Sequence, residues 1–138
     1  MSIQDDYSFE WLDEDVVLYR ANIDNKCVML GHILPLLWSK DFFSITQCDT
    51  EFSFFISARF RVTIDALRLC STVDGTYKAL KVYQINHQIN ELGIVAKFAH
   101  FFEELEIPIL YINSFNNNII LVPSTHVSQL DHIAPFTI

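Results

Sequence analysis

The chain contains little glycine and little cysteine, three of each in 138 residues. Nucleotide-binding loops use several closely spaced glycines so that backbone N–H groups can surround a phosphate, and such a loop is absent from this sequence. Cys27, Cys48 and Cys70 are too far apart to form the paired motifs typical of zinc or redox sites. We therefore expect reduced, buried thiols and no cofactor.

Basic residues are also scarce, with nine Lys and Arg against 17 Asp and Glu, for a formal net charge of -8. Because phosphates repel such a surface, the charge argues against nucleic acid as a partner. No apolar run approaches the roughly 20 residues of a membrane span, and the acidic stretch 1–10 does not resemble a secretory signal. We expect a cytoplasmic protein with no membrane span.

Apolar residues, in contrast, are abundant: 51% of the chain is hydrophobic, and it contains 12 Phe. A chain of this length has room for one domain or for two subdomains that share a core, and so many rings are hard to bury inside one copy. The excess predicts a homodimer or a complex with another protein.

In the first half, residues 8–12 and 16–19 are short apolar segments on either side of an acidic stretch, 13–15, which predicts strand, turn and strand. Residues 27–38 predict a deeply buried helix that is kinked or split near Ile33, because Pro35 cannot continue it. A second pair of strands is predicted at 41–46 and 52–57, followed by a short helix within 63–70.

The second half has a clearer pattern. Residues 77–85 predict a strand, and residues 92–105 predict an amphipathic helix because apolar side chains recur every three or four positions. Strands follow at 109–114 and 119–122, and Ser124 is a candidate cap for a last helix.

Both halves begin with strand, helix, strand, strand, the order typical of ferredoxin-like α+β folds with mainly antiparallel sheets. We predict a first unit over residues 1–76 and a second over 77–138. The second half lacks a final strand, which the surplus N-terminal strand is expected to supply, so that this strand is shared by the two units.

The segment from Gly93 to Pro123 has the pattern Gly, helix, Leu-x-Ile, strand, Ser-Phe, turn, Leu-Val. It resembles the ACT unit of the cytosolic arginine sensors called CASTOR and of small bacterial tandem-ACT proteins. Upstream, Asp41-Phe-Phe-Ser-Ile-Thr and Phe52-Ser-Phe-Phe-Ile look like the family's first unit. The resemblance implies two ferredoxin-like βαββαβ units in tandem.

ACT units characteristically bind small amino acids at the seam between neighbouring units. A glycine at a helix entrance permits close approach, and the first N–H groups of the helix suit a carboxylate. The resemblance places Gly93 and Ile94 at that entrance. It assigns the opposing strand start to Ile107, Pro108 and Ile109, and the specificity edge to Ser114, Phe115, Asn116 and Asn118.

Two positions depart from the arginine sensors. Pro108 stands where the family often has a small hydroxyl residue, and it offers neither a hydroxyl nor a backbone donor. Asn118 stands where an acidic residue is frequent, and a neutral amide cannot match the grip of a carboxylate on a guanidinium. A smaller polar or neutral amino acid, or no ligand, is as consistent with these residues as arginine.

Two functions remain open. The first is a non-enzymatic regulatory protein that responds to an amino acid and acts on a protein partner, by analogy in nutrient signalling upstream of the TOR kinase complex. The second is a ligand-free ACT scaffold that dimerises or serves as a complex subunit. No nucleophile-and-base motif indicates an enzyme, and none of the five histidines has a spacing typical of metal ligands.

Overall fold

The structure, a computed structural model, describes residues 7–72, 75–84, 94–113, 117–131 and 133. The chain divides into two compact units. The first unit comprises Glu14–Thr76, and the second combines Met1–Asp13 with Tyr77–Ile138. Strand β1 (Tyr7–Asn22) belongs to both, because its first residues lie in the second unit and its last residues in the first unit.

In the first unit, β1 is followed by helix α1 (Lys26–Ile33), strands β2 (Phe43–Cys48) and β3 (Glu51–Ser57), helix α2 (Arg61–Leu67) and the short strand β4 (Ser71–Thr72). The strand order is β2-β3-β1-β4, and every pairing is antiparallel. Alternate residues of β1 and β3 face the two helices and form the core of the unit with Met29, Ile33 and Ile64.

The predicted turn at residues 13–15 is wrong, because β1 continues through it as one strand of 16 residues. Three consecutive acidic residues favour an exposed turn when only water is available to hydrogen-bond their side chains. Here Glu14 accepts a hydrogen bond of 2.8 Å from the Phe42 N–H, while Val16 pairs with Ser57. Contacts with residues distant in sequence thus stabilise the extended conformation of residues 13–15. The composition of the segment itself does not reveal these contacts.

The predicted helix at 27–38 is split as expected. It ends at Ile33, and a 3-10 segment, Leu34–Trp38, follows with Pro35 in its first turn. The prediction that residues 27–38 are deeply buried, however, is wrong. Only Met29 and Ile33 are buried, whereas Val28, Leu34 and Trp38 are 52%, 58% and 95% exposed. One face of α1 meets the sheet, and the exposed apolar side chains are Val28 on the helix and Leu34 and Trp38 in the segment that follows it.

The second unit contains β5 (Tyr77–Gln84), α3 (Ile94–Glu104), β6 (Leu110–Asn113) and β7 (Asn118–Pro123) beside the first part of β1. The order is β1-β5-β7-β6, and β7 pairs antiparallel with both β5 and β6. Helix α3 has the predicted apolar face. Its buried Phe98 contacts Tyr7 and Phe9 edge to face, with ring centroids 5.2 and 5.8 Å apart.

The last predicted helix is a 3-10 helix, Ser124–Gln129. Ser124 is its first residue, and Pro123 occupies the cap position without a side-chain hydrogen bond. The predicted serine cap is therefore wrong. Val127 and Leu130 nevertheless pack into the core of the second unit, as the apolar spacing predicts.

Candidate functional site

The residues predicted to surround a ligand belong to the second unit, where β5 and β6 end and β7 begins. Asn118 pairs there with Asn113 on one side and with Val82 on the other. We call this part of the sheet the Asn118 edge. At the far end of β6 the chain turns tightly out of α3, since the Ile107 N–H donates to the Phe102 carbonyl at 3.0 Å.

Helix α3 therefore ends at the far end of the sheet and begins toward the Asn118 edge, about 16 Å away at 1.5 Å per residue. The start of a helix carries unpaired N–H groups and a partial positive charge. The fold thus directs the positive end of α3 toward the edge at which Asn118 lies.

Asn118 is a buried polar residue, 8% exposed. Strand alternation places its side chain on the same face as Ile120 and Val122, which pack against α3. Within the part of the chain that the structure describes, no hydrogen bond to its carboxamide is found. Its polar atoms are not among the fully buried, unpartnered side-chain atoms of the described residues, so the carboxamide stays accessible to a ligand at this edge.

The predicted site residues fall at two ends of the sheet. Ile94, the first residue of α3, lies toward the Asn118 edge, whereas Ile107, Pro108 and Ile109 precede β6 at the far end. Four residues of β6 span about 13 Å, so this unit does not bring the two groups together. Gly93, Ser114, Phe115 and Asn116 lie outside the described residues.

Ile107 and Ile109, at the far end of the sheet, stabilise the core of the second unit. Ile107 is 4% exposed, belongs to the core and has already donated its N–H, and Ile109 packs against the same core. Pro108 lies exposed between them. As the proline has no donor and the Ile107 donor is used, a carboxylate would find no backbone N–H at these two positions. Their role as ligand contacts stays a prediction.

The first unit also contains a pair of carboxylates, Glu14 and Asp41, that the sequence did not identify as a candidate site. Burial, followed by a hydrogen bond with Asp41, raises the pKa of Glu14. That same hydrogen bond, together with the Arg59 guanidinium that forms an ion pair with Asp41, lowers the pKa of Asp41. The two acids are distant in sequence and lie in no motif, so only the pairing of distant elements reveals the contact.

The cysteines also differ from expectation, because Cys27 and Cys48 are exposed and Cys70 is partly buried. Desolvation, with a smaller contribution from Asp65, raises the pKa of the Cys70 thiol to about 11. Burial likewise raises the pKa of Tyr19, whose hydroxyl donates to Asp65 at 2.8 Å. Neither group is ionised near neutral pH, which argues against either as a nucleophile.

No protein-family model and no curated protein matches the chain. Solved structures do. The regulatory subunit of aspartate kinase from Thermus thermophilus, in its ligand-free form, superposes with a TM-score of 0.61 at 8% identity, over 90% of this chain and 91% of that chain. The chain has this tandem-ACT fold.

Two further structures share the tandem-ACT fold. Protein Atu0741 from Agrobacterium tumefaciens has a TM-score of 0.69 and 20% identity, over 95% of this chain and 89% of that one. Aspartokinase III from E. coli, in complex with lysine and aspartate, has a TM-score of 0.52 and 13% identity, over 90% of this chain and 30% of its own. These identities establish a shared fold and nothing narrower.

No described helix can cross a bilayer, since the longest, α3, has 11 residues.

Proposed function

We propose that this protein is a non-enzymatic regulatory module that binds a small amino acid at the Asn118 edge and thereby changes its affinity for a protein partner. The Asn118 carboxamide, which makes no hydrogen bond among the described residues and stays accessible, carries the proposal. Its two donors and one acceptor are available to the polar group of a ligand, and α3 directs its positive end toward the ligand's carboxylate.

The comparison with E. coli aspartokinase III supports an amino acid as the ligand, because that enzyme was crystallised with lysine and aspartate on a chain that includes the same fold. The present chain corresponds in length to the regulatory subunit from T. thermophilus. We therefore assign it regulation of a partner rather than catalysis.

Asn118 also bears on the choice of ligand. A carboxamide offers two N–H donors and one carbonyl acceptor but no charge, so it discriminates in favour of neutral polar groups and against a guanidinium that requires a carboxylate. We propose a small neutral or polar amino acid in preference to arginine. The resemblance of residues 93–123 to the arginine sensors suggests a partner in cytoplasmic nutrient signalling.

A thermal-shift screen of the full chain over the twenty amino acids tests the proposal. A ligand that binds only the native state stabilises it by about 2.7 kcal/mol at one hundred times its dissociation constant, so the melting temperature must rise with concentration. We expect a small neutral amino acid to give a larger shift than the other amino acids and Asn118→Leu to remove this excess.

Gln129→Leu is the matched control, because it exchanges an exposed amide of the same unit for the same apolar side chain. Its ligand-induced shift should equal that of the unaltered protein. If Asn118→Leu retains the full shift, the ligand does not bind at this edge.

The alternative function is a ligand-free tandem-ACT scaffold that serves as a dimerisation or complex subunit. The exposed apolar side chains of Val28, Leu34 and Trp38, of which Trp38 is 95% exposed, favour it. The same screen separates the two, because a scaffold without a ligand at the Asn118 edge shows no shift that Asn118→Leu removes.

A further inference from the structure

The first unit has a cavity of about 240 Å³ at the end of β1. Its lining consists of Arg20, Ala21, Asn22, Thr50, Glu51 and Ser71. Tyr19 and Ala21 face the helices, so strand alternation places the side chains of Arg20 and Asn22 on the opposite, solvent-facing side of the sheet. The cavity therefore lies in a different unit from the Asn118 edge.

Arg20 supplies the positive charge of this cavity. Its guanidinium is exposed and, among the described residues, makes no ion pair and no ring contact, whereas Arg59 pairs with Asp41 and Arg61 with Asp65. The cross-strand neighbours of Arg20 are Ser53 and Ser71, which are uncharged and therefore do not neutralise it. A guanidinium in this setting is available to a carboxylate, which it binds with two parallel N–H donors.

The polar rim of the cavity is held in place by backbone hydrogen bonds. The Asn22 side-chain oxygen accepts the Asp24 N–H at 2.9 Å, which leaves its two N–H donors for a ligand. The Thr50 carbonyl accepts the Ile23 N–H at 2.8 Å, and Asp49, with φ of 53°, sets the turn that carries Thr50. The donors beside Arg20 are thus positioned before any ligand binds.

Glu51 brings a negative charge to the same cavity. It pairs with Asn22 and is the diagonal neighbour of Arg20 on this face, at a Cα separation of about 7–8 Å. The structure records no ion pair between the two. Opposite charges that lie on one face without pairing with each other suit a ligand that carries both an anionic and a cationic group, as the head group of an α-amino acid does. A phosphate would instead be repelled by Glu51 and by the net charge of -8.

We propose that this cavity is an amino-acid site that takes the zwitterionic head group of a free α-amino acid. Arg20, Ser71 and the Asn22 amide hold the carboxylate, and Glu51 holds the ammonium. Every lining side chain except that of Ala21 is exposed, so the ligand's own side chain faces solvent and contributes little to selectivity. The site goes beyond the proposed function and does not depend on it.

Titration of the ¹⁵N-labelled full chain by NMR tests the assignment, with glycine as the zwitterion, acetate as the carboxylate alone, methylamine as the ammonium alone, and inorganic phosphate. We expect glycine to shift the amides of residues 20–22, 50–51 and 71 in a saturable manner. Acetate and methylamine, which each lack one of the two ionic contacts, should bind at least about tenfold more weakly.

Arg20→Gln and Glu51→Gln should each weaken glycine binding by about tenfold. Both residues are exposed, so the variants should retain the spectrum of the folded protein. Arg68→Gln, which removes an exposed arginine of the same unit outside the cavity, should leave glycine binding unchanged. Asn118→Leu should not affect these resonances, which separates a failure of this proposal from a failure of the proposed function.

Three results would overturn the proposal. One is the absence of a saturable glycine shift at these amides. Another is phosphate binding more tightly than glycine, which would indicate a simple anion site. The third is full glycine affinity in Glu51→Gln, which would remove the ammonium contact.

Discussion

At the scale of single residues, Glu14 and Asp41 show how the fold alters the chemistry of ordinary side chains. Glu14 accepts the Phe42 N–H, and it shares a hydrogen bond with Asp41, which is also paired with Arg59. The pKa of Glu14 is raised and that of Asp41 is lowered, so Glu14 takes up a proton before Asp41 does as the pH falls.

The two shifts act on stability in opposite directions. The raised pKa of Glu14 contributes stability that is fully present below its unfolded-state pKa and is lost as pH rises through its folded-state pKa. The lowered pKa of Asp41 contributes stability that is present above its unfolded-state pKa and is lost as pH falls through its folded-state pKa. The pair is most favourable between the two folded-state values.

We predict that Glu14→Gln removes the loss of stability on the alkaline side of this range. Glutamine reproduces the protonated acid, because its carbonyl still accepts the Phe42 N–H and its amide donates to Asp41. The free energy of unfolding at neutral pH should rise by up to about 1 kcal/mol after allowance for solvent screening. Urea titrations from about pH 4 to about pH 8 measure it.

Asp13→Asn, at an exposed carboxylate in the same strand, is the control and should preserve the pH dependence of the unaltered protein. A Glu14→Gln protein that shows the same pH profile as the unaltered one would contradict the coupling.

At the scale of elements, α3 and the first part of β1 depend on each other. Phe98 is fully buried, and its ring meets Tyr7 and Phe9 from β1. An apolar stripe on α3 alone would leave this face in water, and the first residues of β1 alone would be a single strand. Their contact, with β5 between β1 and β7, gives the second unit its core.

We predict that Phe98→Ala costs about 3–5 kcal/mol of unfolding free energy, since it removes buried ring contacts and leaves a cavity. Val95→Ala, on the same helix at 45% exposure, should change stability by less than about 1 kcal/mol. Urea unfolding followed by far-UV circular dichroism measures both. A loss for Phe98→Ala no greater than that for Val95→Ala would refute the central role of this ring.

At the scale of the whole molecule, the apolar excess of the composition remains partly uncovered. Trp38 is 95% exposed, Val62 83% and Leu34 58%. Trp38 and Leu34 lie in the 3-10 segment that extends α1, while Val62 lies on α2. Exposed apolar side chains gain stability when another surface covers them, which supports the prediction of a homodimer or of a complex with another protein.

We predict that Trp38→Ser weakens self-association by at least about tenfold, because removal of a large exposed ring from an interface costs more than 1.4 kcal/mol. Analytical ultracentrifugation over a concentration series measures the dissociation constant. Val95→Ser, an exposed apolar residue on α3, is the control and should associate as the unaltered protein does. An unaltered protein that is monomeric at every concentration contradicts the homodimer.

The features that sequence could predict are those determined by neighbours a few positions apart. The amphipathic face of α3, the end of α1 before Pro35 and the antiparallel α+β architecture follow from apolar spacing, proline chemistry and the order of elements. The resemblance of residues 93–123 to ACT units indicated the fold that the solved structures share. Asn118 was identified in sequence as a candidate, but its burial without a partner was not.

Only the tertiary structure decided the rest. Four features depend on strand register and on the return path of the chain: the continuity of β1, the opposed pKa shifts of Glu14 and Asp41, the separation of Ile107 from Asn118, and the charges of Arg20 and Glu51 around one cavity. Composition and periodicity describe residues a few positions apart in the sequence. These contacts instead join residues that are distant along the chain and meet only when the sheet has formed.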